Sequence, residues 1–177
     1  MKRNLFICAI SIVMAFTSIS CNNNEQTEVE KRTENLVTRR GWKLTAATSS
    51  PAYEMRNGDR ITNLFDGYLR DFETDDIVYY NQTGSVDVDP GRLTPPSGVP
   101  GFSTRTTMGT WNFLNDAGTR LRTHIPFMIS YGNTAADVNV TALDERNLRF
   151  NFTFTEEDDD PAKAARVYTF SLTYERN

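Results

Sequence analysis

The chain holds one histidine, His124, and two cysteines, Cys8 and Cys21, so side chains able to act as nucleophile or neutral-pH base are scarce. Nucleophilic catalysis needs a Ser, Cys or Thr within reach of a positioned base, and no G-x-S-x-G elbow occurs. His124 shares the parity of Arg120, Arg122 and Ser130 in an alternating stretch, which predicts a solvent-facing imidazole. Carboxylates are more plentiful: Asp75-Asp76, Asp87 with Asp89, and the run Glu156 to Asp160. Paired carboxylates are the equipment of glycoside hydrolysis. Asp87 and Asp89, however, alternate with Val86 and Val88 and read as the wet face of a strand. The acidic run ends at Pro161 and reads as a loop kept soluble by charge, because it lacks the spaced oxygen ligands and glycine of a calcium loop. Thiolate or imidazole metal sites lack ligands. These residues predict a non-enzymatic protein with no metal and no cofactor.

The cysteines point elsewhere. Lys2 and Arg3 precede the apolar run Leu5 to Phe16, followed by Thr17, Ser18 and Ser20, which is the order of a secretory signal. Twelve residues fall short of the roughly 20 needed to cross a bilayer as a helix. Ser18-Ile19-Ser20-Cys21 resembles the lipobox of bacterial lipoproteins, departing from it at Ser18, where leucine is usual. The resemblance implies cleavage before Cys21 and a diacylglyceryl group on its thiol. Cys8 would leave with the signal, so the mature chain would hold a single thiol and no internal disulfide. Several buried acyl chains, at about 0.8 kcal/mol per methylene, anchor a protein stably. The expected location is therefore the outer membrane, on its periplasmic or cell-surface side.

Removing residues 1–20 takes two basic and no acidic residues, so the net charge falls from −4 to −6. That total, with no local Lys/Arg cluster, argues against nucleic acid as a partner.

A chain of 177 residues suits one domain. Residues 1–20 read as signal peptide, 21–35 as a polar flexible tether, and 36–177 as the folded domain. Between Glu30 and Arg40 the helix formers with Leu36 and Val37 predict a short helix lying across one end of that domain. Beyond Gly41 the hydrophobic period is two. In Leu148 to Thr155 four apolar residues alternate with four polar ones, and Tyr168, Phe170, Leu172 and Tyr174 form one face of the last strand. Other strands are expected at Trp42–Thr48, Asp76–Asn81, Ser85–Asp89, Thr107–Leu114, Thr119–Ser130 and Asp137–Leu143, with Gly- and Asn-rich turns between them. Eight strands joined by tight turns protect their edges best by closing, which predicts an all-β, antiparallel up-and-down barrel. Ile61, Leu64, Phe65, Tyr68 and Leu69 fall at helical spacing and predict a short helix over Asp59–Phe72, after the first strand. Four prolines and three glycines make Pro90 to Thr106 an extended loop.

Short motifs accompany this pattern: Gly41-Trp42-Lys43-Leu44 opening the first strand, Asp75-Asp76-Ile77-Val78-Tyr79-Tyr80-Asn81 with Gly84 in the next hairpin, and Gly109-Thr110-Trp111 before Asn115-Asp116-Ala117-Gly118. In order and spacing they resemble the lipocalin-like lipoproteins of Gram-negative bacteria, a branch of the calycin-type barrels, from about Leu36 to the C terminus. Gly41 directly precedes Trp42, where the lipocalin signature has one residue between. The resemblance also implies a basic residue covering Trp42, for which Arg176 and Arg166 are both placed.

A barrel of this size either fills with its own side chains or encloses one small molecule. Trp42, Tyr79, Trp111, Phe113, Phe127, Phe150, Phe152, Phe154, Tyr168, Phe170 and Leu172 are expected to point inward, and rings of roughly 150 to 250 Å² each would occupy much of the space. A small hydrophobic or amphipathic ligand would meet Trp111, Phe127, Tyr79 and Tyr168, whose aromatic walls suit it. The alternative is a structural module that contacts an envelope protein or glycan through its loops.

Overall fold

The fold, given by a computed structural model, is described for residues 26–55, 57–93, 95–97, 103–126, 135–157 and 164–177. Cys21 and Phe127 lie outside them. The segment before the sheet is helical, α1 (Glu28–Leu36). The short helix expected over Glu30–Arg40 thus starts two residues earlier and ends at Leu36. A capping box starts it: the Thr27 hydroxyl accepts from the Glu30 N–H while the Glu30 carboxylate accepts from the Thr27 N–H at 2.7 Å.

Strands follow as β1 (Trp42–Glu54), β2 (Arg60–Asn63), β3 (Ile77–Tyr80), β4 (Ser85–Asp89), β5 (Thr106–Phe113), β6 (Arg120–His124), β7 (Ala135–Leu143), β8 (Asn147–Glu156) and β9 (Arg166–Arg176). Every pairing is antiparallel, and β3 to β9 neighbour one another in chain order. Pairing of β1 with both β9 and β3 closes eight strands into a barrel, with β2 added to the flank of β1.

The closure is uneven. β1 and β9 pair from Trp42↔Arg176 to Ser50↔Thr169, whereas β1 and β3 share only Trp42↔Val78 and Lys43↔Ile77. Beyond Lys43 the wall between β1 and β3 opens. The chain from β2 to β3 borders that opening. The stretch Asp59–Phe72 is not one helix but β2, a single turn α2 (Leu64–Gly67) and a 3₁₀ turn (Asp71–Glu73). Asn63 caps the amides of Phe65 and Asp66, so helix starts only there, and the Gly67 that follows supports no continuation. The helical stripe still points to the core: Leu64 is buried, and Ile61, Phe65, Tyr68 and Leu69 pack against it.

Inside, alternate residues of each strand interdigitate. Phe170 meets Phe152, Phe154, Tyr168 and Tyr53 at ring centroid distances of 5.5 to 6.1 Å, and Phe150 stacks on Tyr174 at 5.6 Å. At the other end Trp42 is fully buried and donates through Nε1 to the Leu36 carbonyl at 2.8 Å, tying the barrel floor to the end of α1. Arg176 is the basic residue over this ring, 5.4 Å from its centroid, and it also donates to the Asn35 carbonyl. Arg166 sits instead with Glu54 and Glu156.

Four register shifts, at Leu44/Ala46, Thr48/Tyr53, Val86/Asp87 and Val140/Ala142, interrupt the ladders, and such irregularities can flip the inward parity along a strand. In β1 the buried set changes from Trp42 and Leu44 to Ala47 and Ser49, and in β5 it changes from Met108 to Trp111.

Candidate functional site

Strand parity decides which aromatic residues reach the interior. In β3, Val78 and Tyr80 are buried while Ile77 and Tyr79 face outward. Tyr79 is thus not a lumen residue: Arg105 lies over its ring at 3.8 Å, beside the Asp87 carboxylate that accepts from Arg105 and Thr107. Its other side covers Gly41, whose φ of +74° and closeness to Ile77 and Tyr79 leave no room for a Cβ. Trp111 does point inward, donates to the Asn81 carbonyl at 3.0 Å, and packs edge-on against Tyr80 and Phe113. Tyr168 belongs to a different cluster, against Tyr53 and Phe170. Among the described residues, Trp111 and Tyr168 share no ring contact, each belonging to its own aromatic cluster.

His124 is buried, contrary to the solvent-facing expectation. Its ring packs on Gly109, where the missing side chain makes the room, and burial holds its pKa below the ordinary value. Gly84 closes the β3–β4 turn by donating to the Asn81 carbonyl.

The adjacent aspartates separate in role. One Asp75 oxygen accepts from the amides of Arg92 and Leu93 at 2.7 and 3.1 Å, pinning the start of the long loop after β4. Asp75 thus caps a distant loop and not the turn that precedes it. Asp76 turns toward the opening between β1 and β3. There it lines a cavity of about 30 Å³ with Leu44, Leu69, Glu73, Val78, Pro126 and Tyr174. Burial pushes the Asp76 pKa up to about 7, and the neighbouring Glu73, Asp75 and Asp89 charges add to the rise against the opposing pull of Arg70. Glu73 accepts from the Arg70 amide at 2.9 Å and pairs with its guanidinium.

Tyr174 is 2% exposed, and burial together with Tyr80 raises its phenol well above the ordinary range. Among the described residues, neither the Asp76 carboxylate nor the Tyr174 hydroxyl has a hydrogen-bond partner. The site therefore combines four apolar walls with the Asp76 carboxyl, the Tyr174 phenol and the ion-paired Glu73 carboxylate.

Of the expected site residues that are described, Asp76 alone lines this cavity. Leu44, Leu69, Glu73, Val78, Pro126 and Tyr174 come from five separate parts of the chain. The one local signal for them is the i, i+4 spacing of Leu69 and Glu73, which puts an acid on an otherwise apolar stripe.

No protein-family model matches this chain, and no curated protein or solved structure matches it either.

Proposed function

We propose that the chain is an exported, non-enzymatic lipoprotein, anchored through Cys21 to the outer membrane, whose lipocalin-like barrel binds a small apolar or amphipathic molecule. The observation that carries the binding reading is the cavity at the β1–β3 opening, apolar on four sides and furnished with the Asp76 carboxyl and the Tyr174 phenol. Its volume of about 30 Å³ is far below the roughly 300 to 1,000 Å³ of ordinary ligand sites. Binding of a whole molecule thus requires the Tyr68–Asp76 segment, half-buried or exposed throughout, to move outward.

Titration of the chain with N-phenyl-1-naphthylamine tests this: saturable fluorescence enhancement at micromolar probe is expected, competed by simple alkyl compounds. No enhancement on the folded protein would overturn the reading. The anchor has its own test, since the mature product should carry a diacylglyceryl mass on an N-terminal Cys21 peptide, and an unmodified full-length N terminus would refute it.

The filling of the barrel by Phe150, Phe152, Phe170, Tyr174 and Trp42 favours a second reading, contact with an envelope protein or glycan through the outer surface. Leu93, 47% exposed in the loop that Asp75 pins, is the first residue to test. Leu93→Ser should then abolish cross-linking to the partner in intact envelopes without affecting probe binding.

A further inference from the structure

We propose that the cavity at the β1–β3 opening seats a positively charged headgroup, a primary ammonium carried on an apolar stem, with Asp76 as its counter-ion and the Tyr174 hydroxyl as a second acceptor. The inference rests on the binding reading above and names the ligand class.

The carboxylates around this opening are not equivalent. Asp75 accepts two backbone amides through Oδ2 while its Oδ1 is buried without a partner among the described residues, Asp89 accepts the Gly91 amide, and Glu73 is paired with Arg70. Asp76 has none of these supports, although it is half-buried and faces the cavity. A carboxylate taken from water without a partner is costly, and a charge-assisted hydrogen bond from a cation is the strongest compensation available. Tyr174 supplies an independent indication. It arrives from β9, on the opposite side of the opening from Asp76, is 2% exposed, lines the same cavity, and makes no side-chain hydrogen bond among the described residues.

Charge sets the sign of the ligand. Asp76 and Glu73 line the site, the Asp75 and Asp89 charges also act on Asp76, and Arg70 is the one cation among the groups acting on it. An anionic headgroup would meet three like charges beyond the one that Arg70 balances. Size and geometry set the type. About 30 Å³ holds roughly two waters, enough for a compact headgroup. An ammonium offers three donors around a point, which suits acceptors converging from Asp76 and Tyr174, while the planar guanidinium fork requires a wider slot. Among the described residues no three His, Cys, Asp or Glu side chains converge as metal ligands. The apolar stem then lies on Leu44, Leu69 and Val78.

Calorimetry of the chain with hexylammonium, hexanol and hexanoate, at low salt and pH 8, separates the contributions. Hexylammonium should bind at least tenfold more tightly than hexanol, with hexanoate weakest. Asp76→Asn, which keeps the side-chain shape, should remove that preference, and Tyr174→Phe should reduce it several-fold. Near-UV circular dichroism checks that both variants keep the native packing. Lowering the pH to 5 should shrink the preference as Asp76 takes up a proton; Glu73, Asp75, Asp89, Arg70 and Tyr174 are the other ionisable groups facing or acting on the site. Equal binding of hexylammonium and hexanol, or a preference unchanged in folded Asp76→Asn, would overturn the ammonium site while leaving the binding reading intact. Failure of all three compounds to bind would remove both.

Discussion

At Asp76 a single side chain departs strongly from its behaviour in water. Its ordinary pKa of 3.8 rises to about 7 in the fold, through burial first and neighbouring carboxylates second. Between those values the folded chain holds more protons than the unfolded one, so stability falls as pH rises through that window. Asp76→Asn removes the titration. It is expected to raise the urea midpoint above pH 7, with the advantage shrinking towards zero below about pH 4, as followed by fluorescence-detected unfolding. Trp42 acts by hydrogen bonding as well as bulk. Trp42→Phe keeps most of the apolar volume but deprives the Leu36 carbonyl of its 2.8 Å donor, at an expected cost of about 1–3 kcal/mol in chemical denaturation.

Among the elements, α1 owes its position to both of its ends. The capping box fixes the first turn, and the last turn is held by Trp42 and Arg176 through the Leu36 and Asn35 carbonyls. Thr27→Ala should therefore cost about 1 kcal/mol locally. Faster amide exchange confined to α1, with β8 and β9 unchanged, is the expected signature in hydrogen-exchange mass spectrometry. The segment from β2 to β3 is the opposite case. It is built from one helical turn and one 3₁₀ turn, with Leu64 its one fully buried apolar residue, and so it is the element best suited to yield when a ligand enters.

At the scale of the whole molecule, stability is concentrated on one side of the barrel. The long β1–β9 and β8–β9 ladders carry the aromatic core, whereas the β1–β3 seam is held by two residue pairs. Phe170 touches four other rings within that core. Phe170→Ala should lower the unfolding free energy by about 3–5 kcal/mol, the usual cost of emptying an aromatic core position. Equilibrium denaturation with matched fluorescence and circular dichroism transitions measures it. A barrel with one firm side and one thin seam offers an entrance where opening breaks the fewest hydrogen bonds.

Alternation in the chain was enough to place eight strands and predict their closure, because a half-buried antiparallel strand must show one apolar and one polar face. Leu148–Thr155 and Tyr168–Tyr174 declare it openly, and the observed β8 and β9 extend them by only a residue or two at each end. The helical stripe at Ile61–Leu69 does face the core but is not one helix, since capping by Asn63 and the break at Gly67 outweigh spacing. What alternation could not resolve was which parity faces inward. Tyr79 and Tyr80 are equivalent in sequence, and the pairing of Val78 with Trp42 selects Tyr80. His124 likewise follows its strand's polar parity yet is buried, because Gly109 on the next strand leaves space for it. The cavity belongs wholly to the tertiary structure. Leu44, Asp76, Pro126 and Tyr174 are far apart along the chain, and only the early parting of β1 from β3 brings them around one space.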